Sequence, residues 1–243
     1  MNLFDVAIIG GGLSGKSTAI NLLKKGYSVL ILEKSERNKF IPCAGGMAAS
    51  IKNYLPLNLD NIIETKIKRV HFTWNNEDPV IAKLSGQSPF LIVNRKNLDE
   101  SLTKEVYECG AKILFSVNVR SLNFDDDSWL IKCEFEKIFR AKYLVIADGS
   151  ESFWSSFLSL GPKKPKYART LAINIKGLGN FTKNTVRFEF GSIKYGFAWA
   201  FPMQDSINIG LGSFIGDFNI DNKELCNYIV ESFGFKNIEY KII

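Results

Sequence analysis

The first thirty residues carry a regular hydrophobic pattern. Residues 4 to 9, FDVAII, form an apolar run that stops at a glycine, as a short buried strand does. Residues 14 to 25 place Ala19, Ile20, Leu22 and Leu23 at helical spacing, and Gly26 follows as the stop. Residues 28 to 33, SVLILE, read as a second buried strand. Strand, glycine turn, helix and strand make a βαβ unit, which implies parallel strands and a right-handed crossover. Further strands are predicted over residues 67 to 74, 79 to 84 and 89 to 94, then near 112 to 115, 128 to 134 and 143 to 147. A helix is predicted over 96 to 109, with Leu98, Leu102 and Val106 on one face. Beyond residue 165 the pattern is mostly strand: 168 to 176, 184 to 190, 196 to 202 and 206 to 214. A helix is predicted after Asp221, with Leu225, Ile229 and Val230 inward. No repeat or long linker interrupts this order. The pattern predicts an α/β fold, a Rossmann-like domain with a mostly parallel sheet, interleaved with an antiparallel β-sheet domain.

The turn after the first strand, Gly10-Gly11-Gly12-Leu13-Ser14-Gly15, satisfies G-x-G-x-x-G. The first glycine permits the tight turn, the second lets backbone approach a diphosphate, and the third lets helix and strand pack closely. The amides at the helix start then face the anion. The same stretch, GGGLSGKS, also satisfies the P-loop pattern G-x-x-x-x-G-K-[ST], with Lys16 for phosphates and Ser17 for magnesium. Under that reading LVIAD, ending at Asp148, serves as the acidic metal-binding strand. The dinucleotide reading is favoured because the loop follows the first strand and a second strand ends in Glu33, eighteen residues past Gly15. A carboxylate there suits a ribose hydroxyl pair. A glycine-rich turn without ligand remains the bland alternative.

Composition narrows the class. The chain has 243 residues, 46% hydrophobic and 23% charged, so disorder, collagen and coiled coil are excluded as the main architecture. No apolar run reaches the roughly 18 residues of a membrane span. The N-terminus lacks a secretory leader, so a cytoplasmic protein is expected. The net charge is +6, without helix-turn-helix or zinc-finger spacing, so no nucleic-acid partner is expected; the charge suits an anionic cofactor or peripheral contact with an anionic membrane. Cys43, Cys109, Cys133 and Cys226 are far apart with no CxxC, so neither a disulfide scaffold nor a metal site is expected. His71 is the sole histidine and lies in an alternating stretch, where a structural role is expected.

The run DVAIIGGGLSGKSTAINLLKKGYSVLILEK, ending at Glu33 and Lys34, resembles the N-terminus of FAD-dependent oxidoreductases of the glutathione-reductase-like type. PCAGGM (42 to 47), VNRKNLDESL (93 to 102), YLVIADGSES (143 to 152) and GFAWAFP (196 to 202) followed by INIGLG resemble, in collinear order, segments of the geranylgeranyl reductase family. Phe197 stands where that family usually has tyrosine, which removes a polar handle. On a strand, Phe197, Trp199 and Phe201 share one face, while Ala198 and Ala200 share the other. The rings suit either plain core packing or the wall of a hydrophobic pocket; the resemblance favours the pocket.

The resemblance implies FAD as cofactor, with NAD(P)H or another donor as reductant, and reduction of prenyl C=C bonds. It implies cofactor contacts from the glycine loop, Glu33, Lys34, Arg95, Val119, Asp148 and Gly149, and a substrate pocket at Phe197, Trp199 and Phe201. Cys43 becomes the candidate catalytic proton donor, with a buried inert thiol as its alternative. The expected domains are 1–65 with 92–155 for FAD, and 66–91 with 156–243 for substrate. The family's later Gly-Asp turn is not found, since Gly216-Asp217 is followed by Phe218. The expectation is therefore either a truncated or split chain, the latter with a separately encoded C-terminal part, or one that has diverged to a reduced form, in each case with impaired flavin retention. The alternatives are a flavin monooxygenase of an aromatic or polyene substrate and a non-catalytic remnant or binding module.

Overall fold

The computed structural model describes residues 2–37, 39–86, 88–162, 165–214, 230, 232–235 and 240–242. In chain order the elements are β1 (Leu3–Ile9), α1 (Leu13–Leu23), β2 (Val29–Leu32), β3 (Gly46–Ala48), a 3-10 turn (Ala49–Asn53), β4 (Ile63–Lys66), β5 (Arg69–Trp74), β6 (Glu77–Lys83), β7 (Phe90–Val93), α2 (Arg95–Glu108), β8 (Lys112–Leu114), β9 (Val119–Asp125), β10 (Ser128–Cys133), β11 (Ile138–Ile146), α3 (Phe153–Phe157), β12 (Arg169–Lys176), β13 (Thr185–Phe190), β14 (Gly196–Pro202), β15 (Ser206–Ser213) and β16 (Tyr240–Ile242). They form two units. The first comprises Met1–Phe40, Leu55–Asn58 and Lys96–Pro165; the second comprises Ile41–Tyr54, Leu59–Arg95 and Lys166–Ile243. Residues 41–54, 59–65 and 92–95, expected with the FAD domain, fall in the second unit, where β3 and β4 both pair with β7. Residues 156–165 stay with the first.

The first unit is built on a six-stranded sheet ordered β8-β2-β1-β11-β10-β9. β8, β2, β1 and β11 are parallel, whereas β10 and β9 turn back as an antiparallel meander. The predicted βαβ unit is therefore present, with β1 central. Its residues are buried on both faces, which explains the unbroken apolar run. Ala7 and Ile9 pack with Leu30, Leu32, Leu122 and Ile131 on one side. The strand expected at 143–147 is the end of the longer β11. β9 went unpredicted because VRSLNFD buries only Val119 and Leu122. Its hairpin to β10 turns on Asp126 and Asp127, both at positive φ.

The second unit has a seven-stranded sheet, β16-β12-β15-β14-β13-β5-β6, antiparallel except where β13 meets β5, and a three-stranded sheet, β3-β7-β4. The two faces of β14 separate as its alternation predicts. Ala198 and Ala200 lie in a core with Ile173, Ile209, Val230 and Phe233. Val230 is helical and buried, while Leu225 and Ile229 of the expected final helix lie outside the described residues. Trp199 and Phe201 lie in another core with Ile67, Ile92 and Val186. The Trp199 indole crosses β15 above Gly210, where an added Cβ would sit 2.3 Å from the ring. Its Nε1 donates to Asn208 Oδ1 at 2.9 Å, and Asn208 Nδ2 donates to Asn174 Oδ1 at 2.8 Å. On the opposite face Glu189 is fully buried and accepts from Thr73 Oγ1, from Asn76 N at 3.0 Å and from Ser192 Oγ at 3.2 Å, with Arg187 Nη2 3.5 Å away. His71, on β5, is held below its ordinary pKa by burial and then by Arg187. No helix among the described residues is long and apolar enough to cross a membrane.

Two outcomes follow from this packing. Gly210→Ala forces the indole off its strand and is expected to cost about 1–3 kcal/mol in urea unfolding, the usual scale of overpacking. Burial pushes the Cys133 thiol up to about 11, whereas Cys43 is exposed. At pH 8 the Cys133 thiolate is therefore scarce, and iodoacetamide followed by peptide mass analysis is expected to modify Cys43 while leaving Cys133 intact in the folded chain.

Candidate functional site

The glycine loop sits where β1 ends between β2 and β11. Gly10 has φ +105°, and its amide donates to the Leu32 carbonyl at 2.8 Å. A Cβ there would lie 2.2 Å from the Ala147 carbonyl oxygen, so any side chain collides with the end of β11. At Gly15 a Cβ would lie 2.0 Å from the Gly10 carbonyl oxygen. These contacts account for the first and last glycines of the motif. Gly12 differs: a Cβ meets nothing within 4 Å. It is the N-cap of α1 in extended conformation, no side chain caps the helix, and the first turn holds no acidic residue. The first intrahelical bond runs from Lys16 N to the Gly12 carbonyl at 3.0 Å. The amides of Leu13, Ser14 and Gly15 precede it and have no partner within the helix. Together with the helix dipole they make an anion cradle. This geometry fits a nucleotide diphosphate.

Glu33 follows directly on β2. Its Oε2 accepts from Gly11 N at 2.6 Å and its Oε1 from Ser35 N at 2.7 Å. The carboxylate therefore shapes the loop, and each oxygen keeps a second lone pair for a ligand hydroxyl. Lys34, next to it, is exposed. The segment leading into β9 is tied to the same corner, since Val117 N donates to the Glu33 carbonyl at 2.9 Å and Ser116 N to the Ser35 carbonyl at 3.0 Å. Val119 buries its side chain in the first unit's core, leaving only its backbone as a possible ligand contact. Asp148 accepts from Ser152 Oγ, and that oxygen accepts Ser155 N at 2.9 Å as the N-cap of α3. Gly149 is exposed at φ +97° with open space around it.

Lys16 resolves the ambiguity of the motif. It is only 3% exposed, and its Nζ lies 3.1 Å from Asp99 Oδ1 and 3.3 Å from the Asp99 carbonyl oxygen on α2. A P-loop lysine reaches for β- and γ-phosphates; this one is committed to a neighbouring helix. The NTPase reading is set aside on that ground. Arg95, at the first position of α2, has a buried Nε without a hydrogen-bond partner among the described residues.

In the second unit, Cys43 is exposed, which removes the buried-thiol alternative. Gly45 N lies 3.4 Å from its Sγ. The two glycines after it, read from sequence as room for a planar ligand, have reasons inside the fold. Gly45, at φ +77°, would place a Cβ 2.3 Å from the Val93 carbonyl oxygen, and Gly46 would place one 2.8 Å from the rings of Phe201 and Phe90. The three rings expected to wall a pocket differ in exposure. Trp199 and Phe201 are buried, Phe201 packing edge-on against Phe90 and Phe188 at 5.5 Å, so core packing accounts for both. Phe197 is half-buried and contacts Phe188, Phe190 and Phe214 at 5.7, 5.7 and 5.9 Å. This ring face, with Phe72 stacked on Phe188, was missed in the sequence. Its signal was the alternation in VHFTW and VRFEF. Among the described residues, no cluster of histidine, cysteine and acidic side chains could hold a metal ion.

Known proteins resemble this chain. An uncharacterized protein of Methanosarcina barkeri is 26% identical over 94% of this chain and 59% of its own length. The digeranylgeranylglycerophospholipid reductase of Methanocaldococcus jannaschii is 26% identical over 87% of this chain and 56% of its own. The chain thus spans less than two thirds of these relatives. The crystal structure of a geranylgeranyl bacteriochlorophyll reductase-like protein from Thermoplasma acidophilum covers the whole chain, and 66% of that protein, with TM-score 0.82 at 22% identity, a likeness of fold. The FAD binding domain family matches residues 4–178, which take in the cradle, Glu33 and Asp148. The chain belongs to that FAD binding domain family.

Proposed function

We propose that the chain forms the cofactor-binding and substrate-sheet portion of a reductase that saturates C=C bonds in a prenyl lipid. The observation that carries the substrate side is the ring face of the seven-stranded sheet. Phe72, Phe188, Phe190 and Phe197 are half-buried there and Phe214 is exposed. By the period of two, no charged side chain of β5, β13 or β14 shares that face. A hydrocarbon chain binds through desolvation and dispersion alone, and a ring surface supplies both. The names of relatives such as the Methanocaldococcus reductase support reduction over the monooxygenase and remnant readings.

FAD, when bound and reduced by the electron donor, would supply the hydride for the double bond. The amides of Leu13, Ser14 and Gly15 hold the diphosphate, aided by the approach at Gly10, Gly11 and Gly12. Glu33 accepts from the ribose hydroxyls. Lys34, Arg95, the Val119 backbone, Asp148 and Gly149 are assigned further cofactor contacts. Phe197 borders the prenyl chain, with Trp199 and Phe201 supporting it from beneath. Cys43 Sγ, held toward Gly45 N, is the proton source. NAD(P)H or another donor is the reductant. A cytoplasmic protein in peripheral contact with membrane suits such a lipid.

Gly12→Asp tests the cradle. Aspartate is a good N-cap and finds open space there, so the melting temperature of the flavin-free chain is expected to hold or rise. Its charge opposes the diphosphate, and FAD affinity in a fluorescence titration is expected to fall about a hundredfold or more, the scale of one misplaced charge a few ångströms away. Unchanged FAD affinity would refute the assignment. The reaction is tested anaerobically with chemically reduced FAD and a geranylgeranylated lipid, reading the gain of two hydrogens per bond by mass spectrometry. Cys43→Ala is expected to slow this gain by about 10²-fold or more while leaving FAD affinity intact. In a parallel aerobic assay with NADPH, oxygen-dependent hydroxylation of the substrate in place of saturation would overturn the reading.

A further inference from the structure

The seven-stranded sheet of the second unit ends in a strand with one open side. β6 is last in the strand order and pairs only with β5 among the described residues. Its Val80 and Ile81 are 60% and 59% exposed, one on each face of the sheet. Leu84 N donates to the Lys68 carbonyl at 2.9 Å. By the period of two, Ala82 and Val80 turn their backbone groups to β5 as well, opposite Val70 and Phe72. The amides of Ile81 and Lys83, and the carbonyls of Pro79, Ile81 and Lys83, therefore point away from the sheet. An edge strand with two exposed β-branched side chains and outward backbone groups is a template for another strand.

The charge pattern of this edge points to its occupant. β6 carries Glu77 and Asp78 at one end and Lys83 at the other, with Val80, Ile81 and Ala82 between them. A second β6 laid antiparallel about a two-fold axis at Ile81 brings the acidic end of each copy to the lysine of the other. A parallel second copy would set acidic end beside acidic end. In the antiparallel register the two Ile81 residues exchange both backbone hydrogen bonds, and each Lys83 amide meets the Pro79 carbonyl of the second copy. Pro79 brings no amide of its own, and Asp78 bends the strand at φ +48°, so the pairing cannot run further along the edge. What remains is a short self-complementary stretch that closes at two copies. Val80 lies opposite Phe72, on the ring face. Val80 and Ala82 of the second copy would continue that face across the axis.

We propose that two copies of the chain associate through β6, edge to edge and antiparallel about Ile81. The pairing is independent of the reductase reading, and its test needs neither flavin nor lipid. Sedimentation velocity of the full chain over a rising concentration series is expected to show a reversible dimer, as a short interface gives. Ile81→Lys sets like charges directly opposite each other at the axis. It is expected to weaken association about tenfold or more at unchanged melting temperature, because Ile81 is already exposed. Register is read by cross-linking. A hydrogen-bonded antiparallel pair holds its Cα atoms about 5.5 Å apart, within disulfide reach. Ile81→Cys is therefore expected to give a covalent dimer under mild oxidation, above the background that exposed Cys43 sets in the wild-type chain. Val80 lies opposite Ala82 of the second copy, so Val80→Cys is expected to stay at background. A monomer at every concentration, undiminished association of Ile81→Lys, or equal cross-linking at Val80 and Ile81 would overturn the proposal. So would protection of the Ile81 amide from hydrogen exchange that does not vary with concentration, which would assign the edge to another segment of the same chain.

Discussion

The closeness of two carbonyl oxygens to two glycines governs the first unit. The Gly10 oxygen leaves no room for a side chain at Gly15, and the Ala147 oxygen leaves none at Gly10. Because of these approaches, β1 passes into α1 within four residues, at the carboxyl edge of parallel strands where ligands of such sheets gather. The amides of α1 go uncapped because the N-cap residue is a glycine, although a Cβ at Gly12 would meet nothing within 4 Å. A bound anion then does what an N-cap serine or aspartate does elsewhere.

Lys16 secures the same arrangement from behind. A buried lysine without a partner is costly, and its pairing with Asp99 repays that cost only when the geometry is held. The pair joins α1 to α2 one turn into each helix, so the cradle cannot roll about the α1 axis without breaking it. A residue that matches a phosphate-binding pattern in sequence thus holds the helix whose amides form the proposed cradle.

Much of this was legible in the sequence where the signal was local. The βαβ unit, the glycine loop and the acidic end of β2 follow from spacing within about thirty residues. Features that depend on distant partners were not. Lys16 meets Asp99 across 83 positions. Gly45 and Gly46 are small because Val93, Phe90 and Phe201 crowd them, and spacing alone offered a ligand as the equally good reason. The rings of β14 were placed on the right face, but alternation does not tell which ring is covered. Phe201 lies under β7, while Phe197 keeps an open edge. β3, β4 and α3 are too short for a periodic signal to emerge.

β13 shows how one strand serves two unlike surfaces. In VRFEF, Val186, Phe188 and Phe190 belong to the ring face, while Arg187 and Glu189 face the opposite side. A slip of one residue against β5 would bury phenylalanines among charges and expose Glu189 to rings, so register is critical here. The turn between β5 and β6 fixes it. Asn75 and Asn76 take positive φ, as a tight hairpin requires. Asn76 N then donates to Glu189 Oε1, and Arg187 Nη2 donates to Asn76 Oδ1 at 3.0 Å. The buried charges therefore contribute specificity: they read the turn, and the turn sets which side chains the aromatic face presents.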